Sequence, residues 1–400
     1  MRFLFYSHDG VGLGHLRRHI AIASALAGIL PEAKVLLATG VDEASHLGLP
    51  PHIDTLKLPG LRKVANNQYE ARRLGLAMPE FGSLRSGLLN TAVETFRPKL
   101  ILVDKHPFGA GGEFRAALDT AKVQGARTVL GLRDILDEPA AVAKEWNAEG
   151  LHDQILDYYE RVLVYGQQTI FDPITQYGFP SALAARTRFC GYVLNAAPCA
   201  WSSDPCSVLL PAKAEKRPKV LATAGGGEDG FELLRTFVEA SLGAPWEAVL
   251  VAGPLLAVDE LRELQKLASN QVTVHSFVPC LPESFGSVDA LVCMGGYNTL
   301  LEAIHQGLPT VCVPRDWPRS EQMLRARAFE QLGLVRMIPP ATLSADQLRQ
   351  AIGTALELPR GQVTERARKT LRLDGAQRAA ENLVSALLGR EVEPRTLART

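Results

Sequence analysis

Two kinds of apolar pattern alternate along this chain. Short, almost wholly apolar runs occur at residues 2–6, 34–39, 99–103, 127–132 and 161–165, and again at 220–223, 248–252, 272–277, 290–294 and 310–313. Runs of that length and content read as strands buried on both faces. Between them lie stretches in which apolar residues return every three or four positions, as an amphipathic helix requires. Residues 15–30 are the clearest case, with Leu16, Ile20, Ala23 and Ala27 on one face. Helices are also predicted over 113–121, from near Phe231, from near Thr299 and over 366–388. Thr299 and Glu302 have capping-box spacing, Leu300, Leu301 and Ile304 supply a packing face, and Gly307 with Pro309 stops that helix. The segment 61–89 is rich in Arg, Leu and Gly, fits neither pattern and receives no assignment.

Strands that alternate with helices call for parallel sheets, because a parallel pair must be joined by a crossover. The strands fall into two series, and 400 residues exceed one ordinary core. Between the series, residues 196–219 carry Pro198, Pro205, Pro211 and Pro218 without any periodicity, which reads as a linker. The expected organisation is α/β: a Rossmann-like domain over 1–195, the linker 196–219, a second such domain over 220–375, and a C-terminal helix and tail over 376–400.

Composition narrows the partners. Apolar residues make up 46% and charged residues 22%, as in an ordinary globular protein. Lys+Arg and Asp+Glu both number 43, so the basic excess of a nucleic-acid binder is missing and no nucleic-acid partner is expected. No pair among the six cysteines has C-x-x-C spacing, so a zinc site is not expected, and Cys293 and Cys312 read as buried reduced thiols within strands. The N-terminus enters a strand at once without a signal-peptide pattern, and no apolar run reaches the ~18 residues of a membrane span. A cytoplasmic location is the expectation.

Chemistry enters where strands meet glycine loops. The first strand runs into Ser7-His8-Asp9-Gly10-Val11-Gly12-Leu13-Gly14-His15. The dinucleotide fingerprint G-x-G-x-x-G fails there: counted from Gly10 its third glycine falls on His15, and counted from Gly12 on Arg17. His15 begins a helix directly after strand and loop, so it should face the crevice at the carboxyl end of the sheet. A neutral imidazole there can take a proton from a hydroxyl, and a helix N-terminus disfavours the imidazolium. Asp104 ends a strand and is the candidate to orient His15, with Asp9 as the alternative. The plainer readings are helix capping for His15 and loop stabilisation for the acids. Gly14, His106, Arg133 and Asp134 stand at the same end of the sheet as acceptor-side candidates. In the second series Gly225-Gly226-Gly227 and Gly295-Gly296 each precede a helix, and Asn298 and Thr299 open the latter. Backbone N–H groups at such places suit a diphosphate.

The set Gly295-Gly296-Tyr297-Asn298-Thr299, Glu302, Gly307-Leu308-Pro309, Pro314 and Glu321-Gln322 resembles the C-terminal donor-site signature of two-domain nucleotide-sugar glycosyltransferases. The likeness is nearest to the branch containing the N-acetylglucosaminyltransferase of peptidoglycan synthesis, with its family 28 C-terminal domain. It covers residues 220–333 well; in the first half it rests on Gly12-Leu13-Gly14-His15, similar to the family's glycine–histidine element, and on the alternating plan.

The resemblance implies a GT-B fold, two doubly wound Rossmann-like domains facing across a cleft, with the C-terminal helix crossing back onto the first. It makes His15 the general base or an acceptor contact. Gly225, Gly226 and Gly227 would meet the diphosphate across from Gly295 and Gly296, with Arg315 and Arg319 as further candidates. Glu302 would hold the ribose hydroxyls, Phe277 and Val278 the base, and Glu321 and Gln322 the sugar hydroxyls. Each has an ordinary alternative: a tight turn for the glycines, the capping box for Glu302, core packing for Phe277 and a helix start for Glu321.

The function so implied is transfer of a hexosyl or N-acetylhexosaminyl group from a nucleoside-diphosphate sugar to an acceptor hydroxyl, with inversion. The base can be uracil, thymine or guanine, with UDP as the first expectation. Asp316 is an isolated acid in the donor loop, so no metal is expected, and no cofactor beyond the donor as co-substrate. The rivals are a nucleotide-sugar 2-epimerase of the same fold and a non-catalytic sugar-nucleotide-binding protein. The acceptor and the choice between monomer and homodimer are open, as is peripheral membrane contact through residues 61–89.

Overall fold

In a computed structural model of the chain, residues 1–7, 14–41, 49–65, 68–194, 217–268, 270 and 272–389 are described. Asp9, most of the expected linker and the end of the tail lie outside them. The chain divides into two units, Met1–Pro198 with Arg372–Thr400, and Cys199–Leu371.

The sheet of the first unit contains β1 (Arg2–Ser7), β2 (Lys34–Thr39), β3 (Ile53–Lys57), β6 (Leu100–Asp104), β7 (Arg127–Arg133), β8 (Arg161–Tyr165) and β9 (Thr187–Phe189). All neighbours are parallel, in the order β3-β2-β1-β6-β7-β8-β9. An antiparallel hairpin, β4 (Leu61–Ala65) with β5 (Gln68–Ala71), stands outside this sheet. The helices are α1 (Gly14–Ile29), α2 (Met78–Phe96), α3 (Arg115–Val123), α4 (Pro139–Glu149), α5 (Leu151–Tyr158), α6 (Pro173–Gln176) and α7 (Ser181–Arg186). Phe3, Leu4, Phe5 and Tyr6 of β1 are all fully buried, as a central strand covered on both faces demands.

The second unit repeats the plan with β10 (Lys219–Thr223), β11 (Glu247–Val251), β12 (Val272–His275), β13 (Ala290–Cys293), β14 (Thr310–Cys312) and β15 (Arg336–Met337), in the order β12-β11-β10-β13-β14-β15. Its helices are α8 (Phe231–Ser241), α9 (Val258–Leu267), α10 (Tyr297–His305), α11 (Glu321–Gln331), α12 (Ala345–Leu356) and α13 (Arg360–Thr370). The last helix, α14 (Gly375–Leu388), belongs to the first unit and packs on α1 and β8.

Both sheets reverse direction once. The first runs β1 to β3 one way and then places β6 on the other side of β1, with Ser7 level with Asp104. The second runs β10 to β12 and then places β13 on the other side of β10, with Thr223 level with Cys293. At such a switch point the flanking loops part, and the carboxyl ends of the two strands open a crevice.

Three expectations need correction. The helix expected from Thr299 begins at Tyr297 after Gly296, and Leu300 N–H already donates to the Gly296 carbonyl at 3.1 Å. The helical ladder is therefore running before Thr299, no side chain caps the helix, and the Thr299–Glu302 capping box does not form. The helix expected over 366–388 is two, α13 and α14. Between them Tyr192 N–H donates to Arg372 O at 2.7 Å and Gly375 N–H to Tyr192 O at 3.0 Å, so the ladder is replaced by bonds to another segment. The unassigned segment 61–89 holds the hairpin and the first half of α2. Its helical face was hidden because Arg85 occupies a core position between Phe81 and Leu89. That guanidinium is fully buried and bidentate to Glu113, with both bonds at 2.6 Å. Glu113, expected inside a helix, precedes α3 instead and serves this pair.

Cys293 and Cys312 are buried free thiols, as expected. Among the described residues no helix is long and apolar enough to cross a membrane.

Candidate functional site

The β1–β6 pairing sets the first turn of α1 beside the end of β6. There His15 Nδ1 lies 2.9 Å from Oδ2 of Asp104. Arg18, one turn along α1, places a guanidinium nitrogen 2.6 Å from the same Oδ2 and 2.9 Å from His15 Nδ1. His19 Nε2 is 3.8 Å from that oxygen. The Nδ1–Oδ2 contact is attractive only when Nδ1 carries the proton, whereas Arg18 could bond Nδ1 only at a lone pair. The ionised Oδ2, which faces both nitrogens, is the stronger acceptor and favours the tautomer with the lone pair on Nε2. Nε2 is then the basic nitrogen of the ring.

Asp104 is fully buried, which alone would raise its pKa, yet the Arg18 guanidinium and then His15 hold the carboxyl well below the usual range. Burial lowers the pKa of His15 to about 4; Asp104 opposes this, and the charges of Arg18 and Arg133 add to it. Burial does the same for His19, again to about 4. His15 is thus neutral at neutral pH, and burial, rather than the helix N-terminus, is the leading cause. Arg18 also lies over the Tyr165 ring, 5.0 Å from its centroid. Gly131 in β7 makes room for that ring, since a Cβ there would overlap the Tyr165 hydroxyl.

The remaining first-unit candidates are near this set but less committed to it. Gly14 is the first residue of α1. His106 follows β6 and donates its backbone N–H to Asp104 O at 2.9 Å. Arg133, half-buried, ends β7 and contributes charge at His15. Asp134 is buried and accepts from Ile135 N–H at 2.8 Å, packed where a Cβ on Gly166 would meet it. That geometry is loop stabilisation. Sequence reasoning missed Arg18 and His19, although with His15 they have the i, i+3, i+4 spacing of one helix face. Lys105, with φ of 69°, was also missed; a lysine in the left-handed region beside Asp104 marks a constrained strand end.

In the second unit the glycine turns follow adjacent strands, β10 and β13. Gly225 and Gly227 have φ of 68° and 97°. A Cβ on Gly227 would lie 2.8 Å from Ala252 O, so this turn is first of all braced against the one after β11. Gly226 has only Leu255 within reach. The tight-turn reading therefore accounts for Gly225 and Gly227 by itself. Gly296 differs: its φ is −62°, and a Cβ there would meet no atom within 4 Å. Nothing in the fold requires glycine at that position, and it opens onto the uncapped start of α10, where Tyr297, Asn298 and Thr299 form the first turn.

Arg315 joins the loop after the glycine triplet to the acid–Gln pair. Its guanidinium bonds Asp229, beyond the glycine triplet, and Glu321 Oε1 at 2.8 Å, while its backbone N–H donates to Gln322 Oε1 at 3.3 Å. Arg325, buried beneath, donates to Gly295 O at 2.8 Å. Glu302 is buried in the second turn of α10. Arg319 is nearly buried in the same loop as Arg315. Phe277 and Val278 stand apart, beyond β12 and two strands from β10; Phe277 is 41% exposed and Val278 is buried.

Residues 226–383 match the glycosyltransferase family 28 C-terminal domain. The NDP-glycosyltransferase YjiC of Bacillus licheniformis is 24% identical over 174 residues, 43% of this chain and 42% of that protein. The UDP-N-acetylglucosamine–N-acetylmuramyl-(pentapeptide) pyrophosphoryl-undecaprenol N-acetylglucosamine transferase of Bacillus pumilus is 26% identical over 144 residues, 34% of this chain and 39% of that protein. These matches span less than half the length of either relative. The crystal structure of the glycosyltransferase VinC in complex with dTDP superposes with a TM-score of 0.63 at 18% identity, covering 97% of this chain and all of that one. The chain has the GT-B fold of nucleotide-sugar glycosyltransferases, built from two Rossmann-like units.

Proposed function

We propose that the protein is a glycosyltransferase that moves a hexosyl or N-acetylhexosaminyl group from a nucleoside-diphosphate sugar to an acceptor hydroxyl, with inversion and without a metal. The observation that carries this reading is the second unit's switch point: two glycine turns on adjacent strands, the first tied through Asp229 and Arg315 to Glu321 and Gln322, the second in backbone contact with Gln322.

The first unit holds the acceptor. Asp104 orients His15, and Nε2 takes the hydroxyl proton as the acceptor oxygen attacks the anomeric carbon. The bond from that carbon to the diphosphate oxygen breaks, and the nucleoside diphosphate leaves with the electron pair. Attack from the face opposite the leaving group inverts the anomeric centre. Charge on the leaving group is met by backbone N–H groups at the start of α10 and by Arg315, which is the office a metal performs elsewhere. Glu321 and Gln322 hold the sugar, and Glu302 the ribose. Similarity to a protein named as a UDP-N-acetylglucosamine transferase, and a fold shared with one crystallised with dTDP, favour a pyrimidine nucleotide.

The test is incubation of the full chain with isotopically labelled UDP-, dTDP- and GDP-sugars and a panel of hydroxylated acceptors, with and without a chelator. Label transferred with equal rate in chelator supports the reading. Epimerised donor in the absence of acceptor, or bound donor never consumed, contradicts it.

A further inference from the structure

A histidine–carboxylate pair needs two residues, and this one has a third. Arg18 is 2% exposed and shares Oδ2 of Asp104 with His15. Three elements enclose its guanidinium: α1, which carries it, the end of β6 through Asp104, and the end of β8 through the Tyr165 ring. Burying a guanidinium is costly unless a carboxylate compensates it. Asp104 therefore has its charge matched before His15 gains any proton. An imidazolium at His15 would set a second cation 2.9 Å from the first, with one carboxylate between them. Charged or titratable groups around the triangle among the described residues include His19 on α1, Arg133 at the end of β7 and Tyr165 at the end of β8. Asp104 is the carboxylate that meets His15 Nδ1.

We propose that Arg18 is the positioning residue of the His15–Asp104 pair: by bonding the shared oxygen it fixes the carboxylate against Nδ1, so that Asp104 sets the tautomer with the lone pair on Nε2, and its own charge holds the imidazole neutral. This rests on the reading of His15 as the base. Asp104 then acts as an orienting group alone, since its charge is already spent on Arg18 and cannot draw a second proton onto the ring. Lys in place of Arg18 would keep the charge but not the planar guanidinium that lies over the Tyr165 ring while one of its nitrogens meets both Oδ2 and Nδ1.

The test is side-chain nitrogen NMR of the full chain, with the His15 signal assigned through His15→Gln. The wild type should show the Nδ1–H tautomer at neutral pH and titrate near 4. Arg18→Gln should raise the midpoint by about one pH unit or more, and Arg18→Lys should return part of that change. An unchanged or lower midpoint in Arg18→Gln overturns the proposal. If Arg18→Gln does not fold, the wild type alone decides: an Nε2–H tautomer, or an imidazolium at pH 7, also overturns it. No donor or acceptor takes part, so a protein that transfers no sugar can pass this test, and an active transferase can fail it.

Discussion

A Cβ added to Gly295 would stand 2.9 Å from the carbonyl oxygen of Gln322. The turn before α10 and the first turn of α11 are therefore in backbone contact, and a glycine is what lets them meet. Arg325 fastens the same place from below through Gly295 O. The next residue, Gly296, has open space where its Cβ would be. One glycine of the pair serves the fold; the other has room in front of it.

That difference makes a prediction. Gly295→Ala should destabilise the protein by about 1–3 kcal/mol, the usual range for overpacking a closed site. Gly296→Ala should leave the thermal midpoint nearly unchanged and weaken nucleoside-diphosphate binding, because the added methyl occupies the ligand's approach to α10. Thermal unfolding with and without nucleotide measures both.

His15→Ala should abolish sugar transfer and leave nucleoside-diphosphate affinity within about twofold, since the proposed donor contacts lie in the second unit. Asp104→Asn should cost both activity and stability, about 3–5 kcal/mol of the latter, because it leaves the Arg18 guanidinium buried without its counter-charge. Donor calorimetry and chemical denaturation separate the two effects.

Acid sensitivity follows from the histidines. His15 and His19 titrate near 4 in the folded chain against 6.5 when unperturbed. The unfolded chain thus binds more protons between those values, and stability must fall as pH drops from 6.5 to 4; below that the depressed Asp104 carboxyl continues the fall. His19→Gln should flatten the slope in that window. Transfer activity, which needs neutral His15, should persist on its acid side to about pH 5. Denaturation midpoints across pH 4–7 check the sign.

Arg315 stands between Asp229 of the glycine triplet loop and Glu321. Arg315→Gln should raise the dissociation constant of a nucleoside diphosphate about tenfold or more, as expected for lost charge-assisted bonds, and leave that of the nucleoside unchanged. Calorimetry with the two ligands side by side reads this.

The sequence was most legible where one signal acted alone. The buried strands β1, β2 and β8 and the glycine turns are written in runs of one character, and His15 and Asp104 could be paired because both stand at a strand's carboxyl end. It was least legible where a buried charge interrupts an apolar face. Arg85 inside α2 and Arg18 inside α1 interrupt the apolar stripe of their helices, and only the fold supplies Glu113 and Asp104 as their partners. The break before α14 was invisible because its bonds go to Tyr192, far away in the chain. Gly225 and Gly227 looked equivalent to Gly296, yet their positive φ gives them a reason of their own.

The account turns on the second unit holding a nucleoside diphosphate at its switch point. Calorimetric titration of the full chain with UDP, dTDP and GDP tests this most directly. The expected result is one-to-one binding of at least one of them, weakened by Gly296→Ala and by Arg315→Gln and retained by His15→Ala. Binding of none, or binding indifferent to both second-unit substitutions, would contradict it.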